Sequence, residues 1–398
     1  MIQRLLRYPR LLLTVIVPLS LVIIIFMYNN VLLGTLNVPF PQIKVGFYGS
    51  NGFKSQVKYV SSQPDTDKKR LILWLNPPNY IRLSSTYNPK QNCPELNCEY
   101  TWDPSNFNLS DIVIVDSFKL PRRPPQKLPY QKWMFYMQEA PTTGQVSPIW
   151  RDKFDLTATY KRDSDVPTPY GIIRPRADKY VHQNQMNYTF NFNAKKRAAV
   201  WIVSHCRTSS KREQIVSMLQ HFFPVDILGG CGKRVCSRHN DKKCLRKVIE
   251  KYMFYISFEN SLCRDYVTEK FFRYYSYDTI QIVRGGMNYS EIAPAGTFID
   301  YSDFKSAKKL ASYLKNIANN EEQYIAYLKR KDGYESLYEE YSYKFSQDVA
   351  YVHTHYFNQP MCDLCKLSLN ISQTTSNYTD IYDWFYTNEC KKPIDIGL

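Results

Sequence analysis

The chain has no internal repeat and no long low-complexity segment, which sets aside stacked-repeat folds and disordered tracts. It has only one long hydrophobic run, at its start, so a multi-span membrane protein is excluded. It is short of acid: 36 Asp and Glu face 52 Lys and Arg, a formal net charge of +16. Such an excess often signals nucleic acid, but no basic run is interleaved with aromatics that could read bases. Most of it is therefore solvated surface, with a few groups left for an anionic ligand. His205 has no serine or cysteine nucleophile to serve and reads as loop structure. Cys231-x4-Cys236, followed by His239 and Cys244, is too loosely spaced for a structural zinc site.

What is present begins with Arg4, Arg7 and Arg10, ahead of an uncharged apolar run over residues 11–28. Eighteen residues at ~1.5 Å each reach about 27 Å, enough for a thin bilayer. The run is longer than a signal-peptide core, and no small-residue cleavage site follows it. It reads as an uncleaved signal-anchor, with residues 1–10 cytosolic and the body lumenal. Residues 29–68, turn-rich and without period, read as a stem. Ten cysteines in an oxidising lumen point to disulfides. Cys93 and Cys98 form one close pair, and Cys362 and Cys365 form a C-x-x-C. Five sequons, at Asn108, Asn187, Asn288, Asn370 and Asn377, agree with a lumenal body.

The remaining ~330 residues exceed one typical core. Apolar runs at 71–75, 111–115 and 133–136 read as buried parallel strands. A second set follows the polar stretch 176–197, at 198–203, 225–228, 254–258 and 280–283. Helical spacing of Leu310, Tyr313, Leu314 and Ile317, with Ser306 as cap, predicts a helix, and 321–331 another. The pattern is α/β, with two Rossmann-like halves at 69–185 and 186–350. Residues 351–398 read as an irregular, cysteine-containing tail.

The stretch 254–274, FYISFENSLCRDYVTEKFFRY, organises the second half. A strand ends at Phe258, a polar turn follows, and a helix is expected over Tyr266–Tyr275 with Asp265 as N-cap. A strand's carboxyl end beside a helix N-terminus suits a phosphate, and Lys270 falls where its ammonium can meet one. On Phe258, Glu259, Asn260, Ser261, Asp265, Tyr266, Thr268, Glu269 and Lys270, the stretch resembles the donor signature of the α1,3-fucosyltransferases, inverting enzymes of glycosyltransferase family 10. The resemblance runs over about residues 70–335. It includes FYMQEAP around Glu139, Tyr170-Gly171, and Phe298-Ile299-Asp300. One departure is Ile280-Gln281-Ile282-Val283, where many members carry a proline.

The resemblance implies a GT-B fold, in which an acceptor-binding first half and a donor-binding second half face a cleft. It implies Glu139 as the catalytic base and Arg212, Asn260, Tyr266, Glu269 and Lys270 as GDP-fucose ligands. It implies no required metal, since Arg212 and Lys270 supply the charge. Asp163-x-Asp165 is accordingly not read as a metal motif, and a divalent ion, Mn or Mg, enters only as a stimulant. The expected partners are GDP-fucose, a glycan or glycoprotein acceptor and the Golgi membrane, in single-pass type II topology, without nucleic acid. The acceptor sugar, core or antennal, and the oligomeric state are open. Two other readings are a protein-directed fucosyltransferase and an inactive glycan-binding relative.

Overall fold

The structure, a computed structural model, describes residues 69–78, 96–144, 146–176, 192–236, 241–338, 350–369 and 380–396, with the backbone alone at 241–242 and 350–359. The expected span and stem lie outside the described residues, as do Asn187, Asn370 and Asn377. Among the described residues no helix is long and apolar enough to cross a membrane.

The first half is a parallel sheet of β1 (Arg70–Trp74), β2 (Cys98–Thr101), β3 (Ile112–Asp116), β4 (Lys132–Met137) and β5 (Leu156–Thr159). Its spatial order is β2-β1-β3-β4-β5. Next in the chain is β6 (Gly171–Pro175). The second parallel sheet holds β7 (Lys196–Ile202), β8 (Val225–Leu228), β9 (Tyr252–Phe258), β10 (Ile280–Arg284) and β11 (Phe298–Asp300), in the order β11-β10-β9-β7-β8. Counted from its own first strand, each sheet reads 2-1-3-4-5. That order puts a topological switch between β1 and β3, and between β7 and β9, where α/β folds open a ligand crevice at the carboxyl ends. The apolar runs in the sequence are these strands. They are continuous rather than alternating because both sheet faces are covered: all five residues of β3 are buried. β10 pairs in register with β9 and β11. At the position of the departure noted above, Gln281 donates to Phe271 O at 3.0 Å and ties the strand to the helix beside it.

The α-helices with described bounds are α1 (Arg212–Gln220), α2 (Asp241–Ile249), α3 (Glu269–Phe272), α4 (Ala307–Asn319), α5 (Glu321–Asp332), α6 (Ala350–Leu369) and α7 (Ile381–Tyr386). Between α5 and α6, β12 (Tyr334–Tyr338) pairs antiparallel with β6. Ser306 caps α4 as the sequence suggests, accepting from Lys309 N, and Leu310, Leu314 and Ile317 pack on the second sheet.

Residues 350–369 and 381–386, expected to be irregular, are helices. The second part of α6 sets Met361, Leu364 and Cys365 against Ile72, Trp74 and Ile114. On the other face of the same sheet, Ile381 and Phe385 of α7 pack with Val113 and Phe135. Pro360 interrupts the periodicity of α6, and α7 spans only six residues, so neither shows as a helix in the sequence. Among the described residues, helices from the chain's end thus cover both faces of the first sheet.

Disulfides fix that cover. Cys98 bonds Cys365, so neither the Cys93–Cys98 pair nor the C-x-x-C is a bridge in itself. Cys362 is also disulfide-bonded. Cys206–Cys231 and Cys236–Cys244 occupy the sulfurs of the loose knuckle. Cys263–Cys390 ties the loop after β9 to the C-terminal segment. That segment continues to Asp395, whose carboxylate holds Arg284 through two 2.6 Å bonds.

Candidate active site

The carboxyl ends of the two sheets meet. β4 runs out through Gln138 to Glu139, where Ala140-Pro141 turns the chain into a short 3-10 segment. From the second half, the loop after β9 comes across. Thr142 Oγ1 lies 2.5 Å from Ser261 Oγ, and Ser209 Oγ donates to Thr142 Oγ1 at 3.3 Å. Tyr266, 2 % exposed, hydrogen-bonds the Glu139 carboxylate. Its ring packs edge-on against Tyr160 and Tyr170, 4.9 and 6.3 Å between centroids. The Tyr170 hydroxyl in turn donates to Gln138 O at 2.7 Å, which steadies the turn that carries Glu139.

Glu139 is half-buried. Burial pushes its carboxyl above the ordinary glutamate value, and the nearby Glu269 charge adds to this. Lys270, His205 and the Tyr266 hydrogen bond pull the other way. A carboxylate so placed holds a proton more readily than one in water, which suits a general base.

The second half supplies a dense charge cluster. α3 is only four residues long and begins at Glu269, not at Tyr266, and its N-cap is Thr268, not Asp265. Asp265 instead adopts a left-handed φ of 61°. Its carboxylate takes the main-chain N and the Nε of Arg162 at 3.1 and 3.0 Å. Asp favours that conformation through local hydrogen bonding, so it breaks the run rather than starting it. Four residues add little aligned dipole, and any attraction for an anion rests on side-chain charge. Gly171 lets α3 approach: a Cβ there would come within 2.6 Å of the Phe272 ring.

Lys270 Nζ lies 2.7 Å from Thr268 Oγ1, 3.0 Å from Glu269 Oε1 and 3.3 Å from Glu259 Oε2. Its side chain is 21 % exposed and that of Glu269 is 35 %. Burial works against the Lys270 charge, but the two glutamates outweigh it and hold its proton more tightly than usual. Burial likewise raises Glu269, and Lys270 with the hydrogen bonds of Lys270 and Thr268 brings it below the ordinary value.

Arg212 opens α1 and is 3 % exposed. It donates to Phe258 O at 2.7 Å and to His205 O at 3.4 Å, bridging the carboxyl ends of β9 and β7 at the switch point. Its Nε has no partner among the described residues. Arg207 and Lys211 of the same loop are exposed. Asn260 follows β9, with its carbonyl held by Ser210 N and Ser209 Oγ, each at 3.0 Å. Its side-chain Oδ1 is buried and has no partner among the described residues. Among the described residues no cluster of three or more His, Cys, Asp or Glu is arranged to hold a metal ion. Asp163 pairs with Arg264 and Asp165 with Thr157.

Two groups escape sequence reasoning. Glu259 is wholly buried, although it lies inside the quoted stretch, where it looks like a turn residue. Asp116, at the carboxyl end of β3 and 3 % exposed, is raised to about 6 by burial and by the Glu139 charge, against the Phe118 N–H and Lys119. Only its place at the end of an apolar run could have flagged it.

This geometry coincides with a family signature. The model for the C-terminal part of glycosyltransferase family 10 (fucosyltransferase) matches residues 192–384, and the N-terminal fucosyltransferase model matches 66–171. The chain is a member of glycosyltransferase family 10. It is 33 % identical to the alpha-(1,3)-fucosyltransferase C of Drosophila melanogaster over 344 residues, covering 79 % of this chain and 76 % of that one. It is 32 % identical over 275 residues to the alpha-(1,3)-fucosyltransferase fut-1 of Caenorhabditis elegans, covering 68 % of this chain and 60 % of that one. A crystal structure of an α1,3-fucosyltransferase with GDP-fucose overlays at a TM-score of 0.48 and 17 % identity, covering 81 % of this chain and 95 % of that one. The two family models thus match one half of the chain each.

Proposed function

We propose that this enzyme transfers fucose from GDP-fucose, with inversion, to the 3-hydroxyl of an N-acetylglucosamine residue in a glycoprotein glycan. The observation that carries the reading is the convergence of Glu139 from one sheet with Tyr266, Glu269 and Lys270 from the other. The linkage follows the printed names of the two relatives. In this mechanism Glu139 takes the proton of the acceptor hydroxyl. The oxygen attacks the anomeric carbon from one side while GDP leaves on the other. Lys270 meets the departing diphosphate, with Arg212 adding charge from beneath and Arg207 and Lys211 at the loop surface. Asn260 offers its Oδ1 to the donor. Tyr266 fixes the base, and Glu269 faces the positive charge that develops on the sugar ring. The run at 11–28 supports a Golgi type II anchor.

The test offers the full chain GDP-fucose with a core N-glycopeptide beside a lactosamine acceptor. Fucose on the 3-hydroxyl of either GlcNAc supports the reading and tells core from antennal specificity. Transfer to neither, with GDP bound, replaces it with a protein acceptor. Absence of GDP binding overturns the enzyme mechanism and favours a glycan-binding relative.

A further inference from the structure

Glu259 is a fully buried carboxylate that the transfer chemistry above leaves without a task. It follows the last residue of β9. Its main-chain N donates to Arg284 O at 2.9 Å, and its carbonyl accepts from Ser210 Oγ at 2.7 Å. Oε1 accepts from Thr268 N at 2.8 Å, and the Thr268 hydroxyl lies 3.0 and 2.9 Å from the two carboxylate oxygens. Oε2 is 3.3 Å from Lys270 Nζ. One side chain thus holds the start of α3 and faces the one ammonium in the charge cluster.

An ammonium has three N–H donors, and Lys270 has three oxygen neighbours: Thr268, Glu269 and Glu259. The Glu259 contact is the longest of the three and lies on the buried side, since no part of the Glu259 side chain is exposed while 21 % of Lys270 is. A diphosphate arriving from solvent would meet the open side. We propose that Glu259 is the resident counter-ion of Lys270: a positioning residue that holds the ammonium while the site is empty and takes it back as GDP departs. Its bonds to Thr268 keep it in place whichever way the lysine leans. Every complex in which Lys270 leans to phosphate must give up some attraction to Glu259, so GDP is held less tightly than the bare cation would hold it. Glu259 then governs product release, not the bond-making step. This inference rests on the reading that Lys270 binds the diphosphate.

The test is Glu259→Gln in the full chain. The amide oxygen still accepts from Thr268 N, while the charge and the acceptor that faces Lys270 are lost. GDP, titrated by calorimetry, is expected to bind about tenfold more tightly. In steady state kcat and the GDP-fucose KM fall together, while the single-turnover rate is unchanged and a burst of about one equivalent appears. A merely structural Glu259 would weaken GDP and raise KM instead. That result, or unchanged GDP affinity with unchanged kcat, overturns the proposal. Lys270→Ala is run beside it. If it leaves GDP affinity unaltered, the reading underneath fails and the counter-ion role with it. If it weakens GDP while Glu259→Gln changes nothing, the counter-ion role alone fails. Should Glu259→Gln not fold, the double variant Glu259→Gln/Lys270→Ala decides. A folded double with the GDP affinity of Lys270→Ala supports the pairing. An unfolded double shows that Glu259 serves the fold independently of Lys270 and contradicts it.

Discussion

The two sheets share a strand order, yet their carboxyl edges are furnished differently. The first presents Glu139 on a short turn, with Asp116 buried nearby. The second gathers Glu259, Glu269, Lys270 and Arg212 around one strand end. They are also built differently. Among the described residues, the second sheet is covered by helices that lie between or directly after its strands, α1, α2, α4 and α5, whereas the first is covered by α6 and α7 from the end of the chain. A lone base needs only a position and a partner such as Tyr266. A diphosphate site needs buried charges that neutralise one another when it is empty, and that ties many neighbouring residues to fixed identities.

The sharpest way to separate the two edges is Glu139→Gln, expected to lower the transfer rate by about 10²- to 10⁴-fold, measured under saturating donor. In the unmutated enzyme the acid limb of the rate profile should lie above the ordinary glutamate range of about 4.3, because burial raises Glu139 and the base works only once deprotonated. Lys270→Ala should act on the other edge. It is expected to raise the GDP-fucose KM and, by leaving Glu259 buried without its cation, to destabilise the fold by about 3–5 kcal/mol in denaturant titrations. An unchanged KM would remove Lys270 from the donor site. Replacing Cys98 and Cys365 by serine should cost about 2–5 kcal/mol, falling on the first half. GDP binding should survive that change, and its loss would mean the halves are not separable.

The smallest effect expected is on Asp116. Its carboxyl is raised from 3.8 to about 6, so between those values the folded state holds a proton that the unfolded state has lost. Stability therefore falls as pH rises from about 4 to about 6. Asp116→Asn, which still accepts from Phe118 N, should be more stable than the parent by at most about 3 kcal/mol at pH 7.5, with the gap closing below pH 4. A constant gap across that range would refute the assignment.

The central strands could be read because their runs, at 112–115 and 254–258, are largely apolar and buried on both faces. The donor stretch could be read because its neutralising charges sit close together in sequence. Thr268 as cap could not, because Asp265 looks like the better cap until its left-handed turn and its bond to Arg162 are seen. The partners of Cys98 and of the first sheet could not, because they lie 267 residues away or on helices without a clean period. The burial of Glu259 is likewise a tertiary fact: nothing local shows that Thr268 and Lys270 fold back onto it.

The division of labour between the edges is tested most directly by titrating GDP into Glu139→Gln and assaying transfer on the same sample. The expected result is the parent's GDP affinity with transfer lost. Transfer at the parent's rate, or loss of GDP binding together with transfer, would contradict it.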